Sequence, residues 1–514
     1  MQTYFHSAVP AWNETFLWGV ATSGYQSEGG FNRSGQPQNN WALHEQEGLI
    51  ASTGDASGFW TRYEEDFRTC QAMGLNSFRL GLEWARIQPS TDPRSTRVPE
   101  FDYAALDAYA DRLAMCYQYG LEPIVTLHHF THPAWLGLDA WLSEQTVDLF
   151  ENYVRVSMTH INRRLVDRYQ RPPIRWIMTI NELNILGPNT YLSGLFPGHA
   201  QGTPALLEAY NFLLKAHIRA YNCLHSLYQS EGWLKPLISL NTCSSDLYWS
   251  DKALWDLLAV KQRGIERSEV RDYLYHNARQ LELELEKARL PLQHDLTTQF
   301  GKLGRIFANF YGSRIINPQP LSGFLQELEE SPFPSVIDYV AIDYYDPFFV
   351  NNVRLPLWSQ FNFKAKGWMA GLTGGFMLKC WDWRMVPEGL YFYCQYYAQD
   401  LQLPVMIAEN GMALRREPDN QMATPRPDGV TRSQFLECHL QQIRRLLADK
   451  VPLIGYMHWS LTDNYEWGSF TPRFGLFTID YANGTERLVE DHLGDRPSET
   501  YARLIREFAD HSPH

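Results

Sequence analysis

Cysteine is too scarce and too scattered to hold this chain together. Seven cysteines, an odd number with no C-x-x-C pair, form neither a disulfide framework nor a zinc pattern. They read as buried, inert thiols in a reducing compartment. Positive charge is also short: 45 Lys and Arg stand against 58 Asp and Glu, for a net charge of −13. Nucleic acid and anionic membrane surfaces require a basic footprint, so neither is an expected partner. No run approaches the roughly 20 apolar residues that span a bilayer. Met1–Thr15 lacks the basic start and apolar stretch of a secretory signal, so the expected location is cytoplasmic. There is no low-complexity tract, short-period repeat or interdomain linker, and one domain over residues 1–514 is expected.

Aromatic residues, at 14%, are abundant. They suit a large core, and they also suit a carbohydrate site, where flat apolar sugar faces lie on indole rings. Short β-branched or aromatic runs recur along the chain: Phe16–Thr22, Ser77–Trp84, Glu122–His129, Arg175–Glu182, Pro236–Cys243, Asp338–Tyr345, Pro404–Asn410 and Ile454–Leu461. Helical periodicity lies between them, over Phe59–Met73, Tyr103–Tyr119, Val147–Tyr169, Ala205–Tyr228 and Phe435–Leu447. Eight such alternations predict an α/β fold, a (β/α)8 TIM barrel with a parallel sheet. An open doubly wound sheet would place G-x-G-x-x-G after its first strand, and none is there. Two long βα-loop insertions are expected on the catalytic face. One, about 244–335, reads as mostly helical (Ser250–Arg289 and Leu303–Ile316); the other, about 347–383, is rich in Trp, Phe and Gly.

A barrel concentrates chemistry at the carboxyl ends of its strands. Arg79 and Glu83 stand at the second such end, His128 and His129 at the third, Asn181 and Glu182 at the fourth, Asp343 and Tyr345 at the sixth, Glu409 at the seventh and Trp459 at the eighth. So many converging strand ends are hard to explain as caps. Glu182 and Glu409 each directly follow an apolar strand, where a lone charge costs several kcal/mol unless it is paired. Two carboxyls facing one bond suit glycosidic cleavage, one protonated to donate to the leaving oxygen and one ionised against the anomeric carbon. Arg79 is placed to keep one of them ionised. A structural ion pair at the barrel rim is the competing explanation.

Longer phrases then carry a resemblance. Phe16-Leu-Trp-Gly-Val-Ala-Thr-Ser-Gly-Tyr-Gln-Ser-Glu28, Asn181-Glu182, Ile407-Ala-Glu-Asn-Gly411, His458-Trp-Ser-Leu-Thr-Asp-Asn-Tyr-Glu-Trp467, Arg473-Phe-Gly-Leu476 and Asp480-Tyr481 occur in that order. The chain resembles glycoside hydrolase family one, the retaining β-glucosidases and β-galactosidases. The wording of Leu80-Gly-Leu-Glu-Trp-Ala-Arg86 and Asn39-Asn-Trp41 is nearest its archaeal-type branch. The resemblance implies that Glu182 is the acid/base and Glu409 the nucleophile, with Arg79 and Tyr345 bonded to Glu409. It implies that Asn181 holds the sugar 2-hydroxyl, that Gln26 and His129 hold the 3- and 4-hydroxyls, and that Glu466 holds the 4- and 6-hydroxyls with Trp467 beside it. Trp459 would floor the sugar subsite and Trp383 would stack on the leaving group. Members that accept a 6-phosphate carry Ser in place of this Glu and add a Lys; this chain keeps Glu466.

The chain departs from the family at four places. Leu183 replaces a Pro, Asp343 an Asn and Phe130 a Trp, and residues from about 244 to 335 lack the family's phrases. A third carboxyl at Asp343 is expected to shift a limb of the pH profile without carrying chemistry, because like charges in one site raise a pKa. The expected activity is exo-hydrolysis of terminal β-D-glucosides and β-D-galactosides, with a small-molecule glycoside as partner and no cofactor. A transglycosylase with the same residues and a non-catalytic sugar-binding relative are the alternatives; the latter should have lost a carboxylate, and both are present. No metal site is expected. His128 and His129 point to opposite faces of a strand, so with His132 they cannot readily converge.

Overall fold

The computed structural model describes residues 15–292, 306, 309–310, 312, 319–346, 348, 380–416 and 424–510. Eight strands close into a barrel in chain order: β1 (Leu17–Ala21), β2 (Ser77–Gly81), β3 (Glu122–Thr126), β4 (Trp176–Asn181), β5 (Leu237–Cys243), β6 (Val340–Tyr344), β7 (Val405–Asn410) and β8 (Leu453–Trp459). Every neighbouring pair is parallel, and β1 closes on β8 with Ala21 opposite Trp459. The chain is thus a TIM barrel, with all eight strands where the sequence places them and ends shifted by a few residues.

The outer helices are α1 (Phe59–Met73), α2 (Tyr103–Gln118), α3 (Glu144–Asp167), α4 (Thr203–Glu231), α5 (Ser322–Glu330), α6 (Pro387–Leu401), α7 (Arg432–Ala448) and α8 (Pro497–Asp510). Local signals set several of their ends. The Asp102 carboxylate accepts from the amides of Ala104 and Ala105 to start α2. Thr431 and Gln434 form a reciprocal capping box on α7. Gly74 ends α1 at φ 86°, a left-handed conformation that glycine adopts without steric cost. After β5 the helical reading of Ser250–Arg289 resolves into two helices, Lys252–Leu258 and Val270–Ala288. Most of Leu303–Ile316 and of the second insertion lies outside the described residues.

Side-chain alternation along the strands builds two apolar layers. Leu17, Ile124, Trp176, Met178, Tyr339, Met406 and Met457 fill the barrel interior. Val20, Phe78, Val125, Ile177, Ile342, Val405 and Ile407 face outward against the helices. The alternation breaks where it matters for the site. Register shifts fall between Met178 and Asn181 on β4 and between Ile407 and Asn410 on β7. In β4, Ile180 joins the outer layer and Asn181 turns inward; in β7, Ala408 is interior and so is Glu409. Such irregularities re-aim side chains at barrel rims. Among the described residues no helix is long and apolar enough to cross a membrane.

Candidate active site

At the carboxyl end of the barrel lies a cavity of about 430 Å³ that reaches both Glu182 and Glu409. Glu409 is the better-anchored carboxylate. Arg79 Nη1 donates to its Oε1 at 2.6 Å and the Tyr345 hydroxyl donates to its Oε2 at 2.8 Å. Arg79 is wholly buried and also donates to Thr126 Oγ1 at 3.0 Å, the Ala408 carbonyl at 3.1 Å and the Asn181 side-chain oxygen. Burial raises the Glu409 pKa above the usual carboxylate range, while Arg79 and Tyr345 oppose the rise. Tyr345 is itself held as a neutral phenol by burial and by Glu409, so it stays a donor. The Asn410-Gly411 turn requires glycine for space: a Cβ at Gly411 would stand 2.0 Å from the Trp459 carbonyl oxygen.

Glu182 has no such cation of its own. It starts a short helix, Leu183–Gly187, from a left-handed φ of 38°, and its amide donates to the Asn241 carbonyl at 2.9 Å. Burial, then the nearby Glu409, push its pKa up to about 8. Cys243 shares the cavity wall with it, and an Asp343 carboxyl oxygen lies within 4.8 Å of it. Neighbouring carboxyls thus differ in protonation: one faces a guanidinium, the other is kept neutral by its surroundings. Leu183, in place of a proline, is fully buried.

The rest of the cavity has a polar end and an apolar mouth. Glu466 accepts from Gln26 Nε2 at 3.1 Å and from Trp459 Nε1 at 3.2 Å, one donor on each oxygen. His129 lies between two indoles, near-parallel to Trp459 at 5.7 Å and to Trp467 at 5.8 Å. Burial and the Arg79 charge keep His129 neutral. Asn181 Nδ2 is buried with no protein acceptor. Trp383 is half-buried on the wall, its ring 6.2 Å from that of Tyr345. Leu49, Ile50, Phe196 and Phe470 line the mouth.

Of the eleven residues singled out above, nine line this cavity; Arg79 bonds to Glu409 from behind it, and Asn181 is held one step further back by Arg79. Glu83 does not join them. It falls beyond the end of β2, where Thr131 Oγ1 donates to it at 2.9 Å, and burial and Glu28 push its pKa to about 8. The three histidines do not meet at one point: His129 lines the cavity, whereas His128 and His132 have near-parallel rings 6.4 Å apart with other partners. His128 packs on Trp141 and Phe150, while His132 Nε2 meets the Gly137 carbonyl at 2.9 Å. Among the described residues the one convergent ligand set is Glu182, Asp343 and Glu409, with oxygens within 4.8 Å of one another. A cation there would have to enter beside Arg79, which already supplies positive charge.

Sequence reasoning passed over Asn241 and Cys243. Asn241 Nδ2 donates to Asn181 Oδ1 at 2.6 Å and to Asp343 Oδ2. Its signal was an amide in an otherwise apolar run, Leu237-Ile-Ser-Leu-Asn241. Cys243, read as one more inert buried thiol, is half-buried on the cavity wall instead.

Comparison with known proteins agrees with this geometry. The family model for glycosyl hydrolase family 1 matches residues 9–252 and 309–492. A 6-phospho-beta-galactosidase of Streptococcus pneumoniae is 27% identical over 505 residues, covering 92% of this chain and 95% of its own. The cytosolic beta-glucosidase of Homo sapiens is 27% identical over 518 residues, covering 96% and 97%. The solved structure of a beta-glucosidase from Thermotoga maritima in complex with noeuromycin superposes with a TM-score of 0.65 at 21% identity, covering 96% of this chain and 98% of that one. With the family match spanning most of the chain and the barrel fold shared, the chain belongs to glycosyl hydrolase family 1 and is a glycoside hydrolase.

Proposed function

We propose that the chain is an exo-acting, retaining β-glycosidase that hydrolyses terminal, unphosphorylated β-D-glucosides and β-D-galactosides, with Glu182 as acid/base and Glu409 as nucleophile. One observation carries this reading: a carboxyl oxygen of Glu182 lies within 4.8 Å of one of Glu409, and only Glu409 is paired with Arg79. Inverting pairs stand about 6.5–9.5 Å apart to admit a water; retaining pairs stand about 5–5.5 Å apart.

In the first step the Glu409 carboxylate attacks the anomeric carbon as Glu182 delivers its proton to the glycosidic oxygen. The bond to the leaving group breaks with its electrons on that oxygen. In the second step water attacks the glycosyl-enzyme, giving its proton to Glu182 and releasing Glu409. Asn181 Nδ2, unpartnered in the protein, is available to the 2-hydroxyl; Gln26, His129 and Glu466 suit the 3-, 4- and 6-hydroxyls, over Trp459. The relatives include both phosphorylated-sugar and plain glucosidase names at equal identity, so the subsite has to decide between them. No Lys or Arg is among the described residues lining the cavity, so none of them is there to neutralise a phosphate dianion. The reading takes residues 1–514 as one domain. A reducing cytoplasm suits its seven unpaired cysteines.

Glu409→Gly tests the assignment. It should remove hydrolysis by several orders of magnitude, and azide or formate should restore turnover of activated glycosides with an α-configured product. A variant as active as wild type would sink it. Running the wild-type enzyme with an added alcohol acceptor separates hydrolysis from transglycosylation.

A further inference from the structure

Three carboxyls, those of Glu182, Asp343 and Glu409, crowd the floor of this site, and among the described residues Arg79 is the one cation paired with any of them. None of the four hydrogen bonds of Arg79 reaches Asp343: they go to Glu409, Ala408, Thr126 and Asn181. Tyr345 is given to Glu409. Asp343 is fully buried on β6, its Cα in register with Cys243 on one side and Glu409 on the other. Asn241 Nδ2 donates to its Oδ2, and its Oδ1 meets no protein donor. A buried carboxylate oxygen left without a donor beside two other carboxyls is costly, and a proton on it removes that cost.

Resting on the assignment of Glu182 as acid/base, we propose that Asp343 is a positioning residue: a neutral carboxylic acid whose O–H points at the Glu182 carboxyl. The two carboxyls have oxygens within 4.8 Å of each other, and the unpartnered Oδ1 of Asp343 is the atom free to carry that proton. Burial, followed by Glu409 and Glu182, raises the Asp343 pKa, which agrees with the geometry. During glycosylation the Glu182 O–H bond breaks and its proton goes to the leaving oxygen. Asp343 keeps its own proton and donates to the carboxylate that Glu182 becomes. When water attacks, its proton returns to Glu182 and the starting state is restored. The third carboxyl therefore adds a donor, where the sequence alone suggested a third charge.

The sign of one pH shift separates these possibilities. The alkaline limb of kcat/KM follows loss of the Glu182 proton. A neutral donor at Asp343 stabilises ionised Glu182, so Asp343→Ala should move that limb up by about one to two pH units, the value of one hydrogen bond to a charged group. The same variant should lose about tenfold or more on alkyl glycosides than on nitrophenyl glycosides, which need little protonation. Asp343→Asn, slower overall but still an amide donor, should keep the limb in place or raise it slightly. If Asp343 were ionised, either variant would remove a negative charge and the limb would move down; that result, or an unmoved limb in Asp343→Ala, overturns the proposal. Thermal melts show whether Asp343→Ala is folded. If it is not, Asp343→Asn decides alone: a limb that stays or rises supports the proposal, and one that falls overturns it. Glu182→Ala with azide is run alongside. If azide does not rescue it on activated substrates, the acid/base assignment itself fails, whatever the Asp343 variants do.

Discussion

Arg79 distinguishes the two carboxyls that we propose as acid/base and nucleophile. Its guanidinium lies 2.6 Å from Glu409, a buried pairing that favours the ionised form there, while burial and Glu409 hold Glu182 protonated up to about 8. Glu182→Ala should therefore slow glycosides with poor leaving groups by about 10²–10⁴-fold and barely affect nitrophenyl glycosides in the bond-breaking step. Steady-state and single-turnover rates on both classes check this, and equal losses would remove Glu182 from the acid role. Glu466 has a different task. Its oxygens already accept from Gln26 and Trp459, and each retains capacity for a sugar hydroxyl. An axial or an equatorial 4-hydroxyl can each find it, so glucosides and galactosides should be cleaved within about one or two powers of ten of each other. Glu466→Ser should cost about 10–100-fold on glucosides, the value of a charge-assisted bond. Assays of both plain sugars and the 6-phosphoglucoside, side by side, check the subsite; a preference for the phosphorylated sugar in the wild type would overturn it.

The strands and helices were largely legible because their signals are local. Short β-branched and aromatic runs marked β1 to β8, and helical periodicity marked helices such as α2 and α7, whose caps Asp102 and Thr431 are seen only in the structure. Thr431→Ala breaks the capping box of α7, which packs on the outside of the barrel. It should lower unfolding stability by about 1 kcal/mol and leave kcat/KM unchanged. Denaturant melts with parallel kinetics check this, and a loss of activity without a loss of stability would contradict it. The irregularities at Met178–Asn181 and Ile407–Asn410 were not legible. A period of two, continued from Met406 and Ala408, would send Glu409 outward into the helix layer. The shift that turns it inward depends on how β7 pairs with its neighbours, and pairing is not a local property.

Across the whole molecule, buried carboxyls set the response to pH. Glu83 and Glu182 each have a pKa near 8 in the fold against 4.5 for a free side chain, with burial as the first cause and a neighbouring carboxyl as the second. A carboxyl raised in this way contributes stability that is fully present below about 4.5 and is lost as pH rises through about 8. Glu83 lies outside the cavity, so it isolates this effect from catalysis. Glu83→Gln should melt higher relative to wild type at pH 9 than at pH 5. Melting curves that stay parallel across that range would show that Glu83 is already ionised in the fold. The net charge of −13 points the same way, since added negative charge at high pH increases self-repulsion.

By itself the sequence determined the class of fold, the order of the eight strands and the placing of a carboxyl at the ends of β4 and β7, because each rests on local runs and on charged residues at their ends. Only the tertiary structure decided which polar strand-end residues share one cavity. Arg79 and Glu409 are 330 residues apart in the chain and 2.6 Å apart in space. Glu83 had the same local credentials as Glu409 and went elsewhere, because β2 ends two residues before it and the chain turns into a short helix at Trp84. Asn241 and Cys243 had weak credentials and entered, because β5 runs beside both β4 and β6. The charge state of the site is likewise a matter of tertiary structure. One guanidinium facing three buried carboxyls is a count that can be made only after the barrel closes, and burial then decides which of the three carry protons.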